Sequence, residues 1–319
     1  MATGHEISVV VPVYQSAETL SALVERLAAV LGPRGPYEIV LVDDGSTDGS
    51  WDAIVALAER DEHVRGFRLA RNYGQHNALL AGIRAARHPI LVTLDDDLQN
   101  PPEEIPRLLE ALDGGADVVY GSPTEEQTGF WRTAGSRLTK LALRSVLGAD
   151  VAAKVSAFRA FRTELRDSFD DFRGPYVSVD VLLSWATASF AWVPVRHDPR
   201  AGGTSHYGFV RLATHAINVL TGFTTRPLRA ASLLGLASTF LGVLILVWVF
   251  GRYIVEGGSV PGFPFLASMI AIFSGVQLLT LGIIGEYMAR MHVRIMDRPP
   301  YAIRAVAEAE PAPPPDDQT

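Results

Sequence analysis

Three consecutive carboxylates, Asp95-Asp96-Asp97, stand at the end of the apolar run 90–94 and are followed by Leu98-Gln99-Asn100. Adjacent like charges repel, and the simplest group that makes such a cluster tolerable is a hard divalent cation, Mg2+ or Mn2+, bound through oxygen. Side chains alternate along an extended segment, so Asp97 and Asp95 are expected on one side, with Gln99 as a carbonyl ligand, and Asp96 on the other. A solvated turn or a helix N-cap would explain one aspartate and explains three poorly. A second acidic pair, Asp43-Asp44, ends the run 39–42 and leads into Gly45-Ser46-Thr47-Asp48. Carboxylates there can accept hydrogen bonds from a base imide or a ribose hydroxyl, although Asp-Gly-Ser is also ordinary turn chemistry. The first apolar run closes on Pro12-Val13-Tyr14, whose ring is placed to stack on a base.

These residues need elements that bring them to one edge. Strand candidates at 7–13, 39–42, 64–69, 90–94 and 117–120 alternate with helix-period segments at 17–31, 50–59, 75–86 and 102–112. That alternation predicts an α/β domain with a mostly parallel, Rossmann-like sheet, in which ligands sit beyond the carboxyl ends of the strands. All of the acids above fall at such ends.

The second half of the chain reads differently. Uncharged stretches at 230–251 and, apart from the loop, 257–285 are each long enough to cross a bilayer. Arg226 and Arg229 precede the first, and Arg290, Arg294 and Arg298 follow the second, which puts both ends of the hairpin on the cytoplasmic side. Pro261, Gly262, Pro264 and Gly275 leave room for a partly re-entrant second segment. Between sheet and hairpin, acid-free spans at 127–149 and 199–255 carry Arg132, Arg137, Lys140 and Arg144, then Arg200 and Arg211, among apolar residues at helical spacing. They are expected to be amphipathic helices in the headgroup plane or, alternatively, surface helices packed on the sheet.

Composition sets the outer bounds. The 319 residues, 48% hydrophobic, suffice for one large domain and a membrane anchor. The absence of cysteine excludes disulfides, thiolate nucleophiles and Cys-ligated zinc. The net charge of -7 is concentrated partly in a Pro-rich tail with Glu308, Glu310, Asp316 and Asp317, expected to be disordered, and says little about partners. The N-terminus lacks the basic and apolar regions of an export signal.

Taken together, VVPVY at 10–14, VDDGSTDGS at 42–50, RNYGQHNALLAG at 71–82 and TLDDDLQNPPEEIP at 93–106, with GIIGEY at 282–287, resemble the family 2 glycosyltransferases, in particular their polyprenyl-phosphate sugar transferases and the dolichyl-phosphate mannose synthases. The resemblance covers nearly the whole chain. It implies a GT-A fold in four parts: a nucleotide-sugar half at 1–126, an acceptor half at 127–229, a transmembrane hairpin at 230–290 and a cytoplasmic tail at 291–319. It also implies an inverting, metal-dependent transfer, with UDP as the favoured donor, in the inner membrane of a bacterium, with the catalytic domain cytoplasmic and the chain assembled as a tetramer. By the same resemblance Pro12, Tyr14, Asp44 and Asp95 serve the nucleotide; the residues beside them, Asp43, Asn72 and Asp96, are expected there from their own positions. The resemblance also assigns Asp97, Gln99 and Asp95 to the metal, Ser205 and His206 to the acceptor phosphate, and Asp97, Arg159 and Arg200 to the chemistry; Arg132 and Arg137 are expected at the acceptor phosphate on charge alone. Several positions depart from the family pattern: Asp96 replaces the usual middle Ala of D-x-D, His206 replaces a Lys, Gln15-Ser16 replaces Asn-Glu, and the acceptor segment Ser156-Ala157-Phe158-Arg159 lacks a frequent Asp.

Such a transfer needs little from a general base. A lipid phosphate with a second pKa near 6 is largely a dianion at neutral pH and is itself a competent nucleophile. What the protein must supply is positive charge, both at the departing diphosphate and between two anionic substrates. Two other readings compete. A polysaccharide synthase would carry a Q-x-x-R-W segment, absent here, and more membrane helices; a silent scaffold would have lost its metal ligands, yet Asp95, Asp97 and Gln99 are present.

Overall fold

The computed structural model describes residues 5–123, 149–174, 176–198, 221–256 and 262–309. Its centre is a parallel block, β1 (Ile7–Val13), β2 (Tyr37–Asp43), β3 (Val64–Leu69) and β4 (Ile90–Thr93), in spatial order β4-β1-β2-β3. Helices α1 (Leu20–Leu31), α2 (Ser50–Arg60) and α3 (Gln75–Ala85) make the crossovers, each within a few residues of its expected span. Both faces of the block are covered, and the strand sequences show it. Val9, Val11, Ile39 and Leu41 enter one core with Leu23, Leu27 and Ile54 of α1 and α2. Val10, Val40 and Val42, one residue out of phase, enter a second core with Leu79, Leu80 and Ile83 of α3. Helix α3 lies close enough that a Cβ on Gly82 would come within 2.3 Å of the Val10 side chain.

Beyond β4 the sheet ceases to be parallel. Helix α4 (Ile105–Asp113) leads to β5 (Val118–Pro123), and after α5 (Ala149–Lys154) the strand β6 (Arg159–Arg162) inserts antiparallel between β4 and β5. After α6 (Val179–Ala186), β7 (Phe190–Val195) adds parallel to β5.

Helices α7 (Arg226–Glu256) and α8 (Phe263–Ile295) follow, and their apolar side chains stand exposed, Leu236 at 68%, Leu246 at 67% and Leu278 at 70%. Both contain windows long and apolar enough to cross a membrane, with mean hydropathy 2.5 and 1.4. They run antiparallel: Gly242 faces Phe273, and the Tyr287 hydroxyl donates to the Thr224 carbonyl, 2.6 Å. Pro264 falls in the first turn of α8, where proline costs no helical hydrogen bond, and Gly275 does not break the helix, so α8 is continuous.

The chain then returns to the sheet. Strand β8 (Ile303–Ala307) pairs antiparallel with β3, closing an eight-stranded sheet, and Glu308 reaches Arg65 (2.8 Å) and Arg87 (3.3 Å). The sequence pattern assigns 303–307 no element within the cytoplasmic tail, since five residues of edge strand carry too few alternations to register, and it predicts disorder from Glu308 on, whereas Glu308 is held by its two arginines. Because both ends of the hairpin connect to one sheet, they must lie on the same side of any membrane it crosses.

Candidate functional site

The carboxyl ends of β1, β2 and β4 meet at one rim, and hydrogen bonds between their exit loops hold it together. The backbone N–H of Tyr14 and the hydroxyl of Ser16 both donate to Asp96 (3.2 and 2.5 Å), and Thr19 donates to the Asp96 carbonyl (2.9 Å). The Gln15 N–H donates to the Ser46 hydroxyl (3.0 Å), joining the β1 exit to the β2 exit. Two non-glycine residues here take left-handed backbone, Gln15 (φ 54) and Leu98 (φ 60), a cost tolerated where surrounding bonds over-determine the turn.

Strand β4 ends at Thr93, and Asp96 and Asp97 occupy a turn, so the pleat no longer sets the direction of the three aspartates; their partners do. Asp95 accepts from the Gln75 side chain at the start of α3 (2.5 Å). Asp96 is drawn inward to Tyr14 and Ser16, and burial, reinforced by neighbouring Asp97, raises its pKa. Asp97 closes a local turn by accepting the Gln99 N–H (3.1 Å). The Gln99 backbone carbonyl in turn accepts the N–H of Asp198 (2.9 Å), which ties the exit of β7 to the rim.

The second acidic pair is buried. Asp43 accepts the Ser46 N–H (2.9 Å), and Arg68 Nε stands 3.3 Å from its other oxygen, at ion-pair distance but without hydrogen-bond geometry. Asp44, 3% exposed, accepts the N–H groups of Tyr73 (2.7 Å) and Gly74 (2.8 Å), so its carboxylate grips the loop after β3 instead of facing solvent. Burial pushes the Asp44 pKa up to about 6 against these two donors, with the Asp43 charge adding to the rise. Gly45, at φ 72, must be glycine: a Cβ there would lie 2.7 Å from the Arg71 backbone.

Of the residues expected to serve the nucleotide, Pro12 is buried at the end of β1, while Tyr14 (48% exposed) and Asn72 are open to solvent at the same rim. Arg159 stands apart. It is 1% exposed on β6, donates from Nε to Thr93 Oγ1 (2.9 Å) and is ion-paired through Nη1 with Asp180 of α6, which also accepts the Tyr120 hydroxyl (3.0 Å). Its charge is thus committed inside the protein. Arg132, Arg137, Arg200, Ser205 and His206, with the helices expected at 127–148 and 199–220, lie outside the described residues.

Sequence reading missed Gln75, Ser16 and Ser46 as the groups that orient the acids; Gln75 does sit inside the quoted 71–82 motif, which was the available signal. Asp180 had none, since its partner lies 21 positions away with no pattern between them.

The donor set suits a hard cation. Asp95 and Asp97 offer half-exposed carboxylate oxygens, and among the described residues no group of three His, Cys, Asp or Glu forms a closed cage. Carboxylate oxygens of this kind are the donors that a hard divalent cation takes.

A family profile described as "Glycosyl transferase family 2" matches residues 8–169. The undecaprenyl-phosphate 4-deoxy-4-formamido-L-arabinose transferase of Pseudomonas aeruginosa (strain LESB58) is 38% identical over 310 residues, 96% of this chain and 91% of that one. Its namesake from Pectobacterium carotovorum subsp. carotovorum (strain PC1) is 34% identical over 95% and 94% of the two chains. Among solved structures, glucosyl-3-phosphoglycerate synthase from Mycobacterium tuberculosis, in complex with Mn2+, UDP-glucose and phosphoglyceric acid, has TM-score 0.51 at 20% identity over 70% of this chain and 80% of that one, a likeness of fold. The same synthase with UDP gives TM-score 0.51 at 18% identity over the same shares.

Proposed function

The chain belongs to glycosyl transferase family 2, a family of enzymes, and from that premise we propose that it moves a sugar from a UDP-linked donor to undecaprenyl phosphate, leaving a polyprenyl-phosphate-linked monosaccharide of inverted anomeric configuration. The observation that carries this reading is that one chain joins an acid-lined sheet rim to two membrane-length helices and stitches their far end back into the same sheet through β8. The relatives whose names specify undecaprenyl phosphate align with both parts.

In this reading Pro12, Tyr14, Asp43 and Asn72 surround the base and ribose, Asp44 acts by holding the 71–74 loop against them, and Asp96 fixes the turn. Asp97, Asp95 and Gln99 would hold Mg2+ or Mn2+, and such an ion, when bound, would supply positive charge at the departing diphosphate. The phosphate oxygen of the lipid attacks the anomeric carbon while the bond from that carbon to the diphosphate oxygen breaks. Arg132, Arg137, Arg200, Ser205 and His206 steady the acceptor; Arg200 lies two positions beyond Asp198, which is anchored to Gln99. Arg159 contributes to the acceptor only where its pair with Asp180 opens, and otherwise supports the rim from below.

The catalytic domain faces the cytoplasm, because arginines flank the hairpin at both connected ends. The reading keeps the division into 1–126, 127–229, 230–290 and 291–319, with residues 303–307 joining the sheet, and, by resemblance to the family, takes the chain to assemble as a homotetramer. The test is to present the full chain, in membranes containing undecaprenyl phosphate, with radiolabelled UDP- and GDP-sugars with and without Mn2+, and to analyse the lipid fraction by mass. A metal-dependent lipid product from one UDP-sugar is expected. Neither product nor metal-dependent binding from any donor would overturn the reading.

A further inference from the structure

Where the hairpin meets the catalytic domain, a cavity of about 620 Å³ opens between the start of α7, the last turns of α8 and the segment 172–185. Its lining shares no residue with the acidic rim. Four arginines face it: Arg226 and Arg229, one turn apart on α7, and Arg290 and Arg294, one turn apart on α8. Glu286 pairs with Arg290 (2.6 Å); among the described residues no carboxylate pairs with Arg226, Arg229 or Arg294. Three guanidinium groups left without counter-charge in one cavity repel one another, and an anion seated among them removes that repulsion.

The walls narrow the choice of anion. Trp185 stacks edge-on against Phe172 and Phe223 (5.8 and 5.9 Å), and Arg290 lies over the Tyr176 ring at 4.6 Å. The cavity thus joins forked cationic donors, which match phosphate oxygens in pairs, to an aromatic wall suited to the apolar start of a lipid. It also sits at the end of two apolar helices, at the depth where headgroup phosphates and aromatic anchors collect.

We propose that this cavity binds a lipid-borne phosphate at the membrane surface, at a site separate from the donor rim. The inference rests on the membrane placement proposed above but not on catalysis, so it is read by binding alone. The full chain, in micelles of a non-ionic, phosphate-free detergent, is titrated in three arms with phosphatidylglycerol, undecaprenyl phosphate and inorganic phosphate, following thermal unfolding and lipid retained after size exclusion. The wild type is expected to be stabilised by at least one of the two lipids and far less by inorganic phosphate. At roughly fivefold per arginine, the combined variant Arg226→Gln, Arg229→Gln, Arg294→Gln weakens that binding about a hundredfold. Loss in the phosphatidylglycerol arm identifies a resident phospholipid, and loss in the undecaprenyl phosphate arm alone identifies an entry site for a polyprenyl phosphate. Should the triple Gln variant fail to insert, the triple Lys variant keeps the charge while losing the forked geometry, and an intermediate loss is expected. Unchanged binding in the variants, or inorganic phosphate binding as tightly as either lipid, would overturn the proposal.

Discussion

Asp97 and Asp44 are both rim carboxylates, yet their surroundings give them different work. Asp97 lies in a solvent-facing turn, so Asp97→Ala removes a candidate metal ligand without disturbing the core. Transfer should fall by at least two orders of magnitude, in line with the loss of charge stabilisation at a leaving group, while membrane insertion and thermal unfolding stay unchanged. Wild-type-like turnover by this variant would defeat the metal assignment. Asp44 is buried and its pKa stands at about 6, above its ordinary value. The folded state therefore holds this proton more tightly than the unfolded chain does between about pH 4 and 6. Its contribution to stability is present at low pH and is lost as pH rises through 6. The charged form, however, is the one that accepts both the Tyr73 and Gly74 N–H groups. Activity should accordingly rise with pH through about 6 as the loop is gripped. In Asp44→Asn the limb of the kcat/KM profile should become shallower, keeping only the part owed to ionisation of the acceptor phosphate itself, and the fall in Tm across the same window should diminish.

Among the elements, β6 is pinned by chemistry as well as by pairing. Its Arg159 and α6's Asp180 form a buried ion pair, with Thr93 of β4 and Tyr120 of β5 completing the bonds. Removing one partner leaves a charge stranded in the interior, so Asp180→Ala should cost about 3–5 kcal/mol, read as a fall in Tm on the order of 10 °C. Replacing both, Arg159→Met with Asp180→Leu, should recover most of that loss, because the uncompensated charge is gone. If the double variant proves as unstable as the single one, the network matters for its hydrogen bonds to Thr93 and Tyr120 rather than for charge balance. At the other edge, β8 caps β3. Ending the chain after Ala302 should expose that edge, with lower Tm and self-association visible on size exclusion.

Across the whole molecule, the return of β8 to the sheet turns a hydropathy argument into a topological one: a chain that leaves the sheet at α7 and rejoins it after α8 must bring both helix ends back to one side. The chain has no native cysteine, so single introduced thiols report the sides cleanly. Glu59→Cys on α2 and Arg298→Cys after α8 should react together from one face of the membrane, and Gly258→Cys in the interhelical connection from the opposite face. Labelling of all three from one side would show that the hairpin does not cross.

The sequence by itself determined the parallel block, its crossover helices, the acids at the strand ends and the two membrane-length helices. All of these rest on local periodicity or on residues within one motif, where covalent spacing alone fixes the neighbourhood. Tertiary structure alone decided which way Asp95 and Asp96 turn, that Asp44 grips a loop, that Arg159 is neutralised by Asp180, that β6 reverses the sheet and that β8 closes it. Each of these depends on a partner tens to hundreds of residues away. Strand pairing and buried hydrogen bonding are selected by the free energy of the packed whole, and no local pattern encodes the identity of a distant partner.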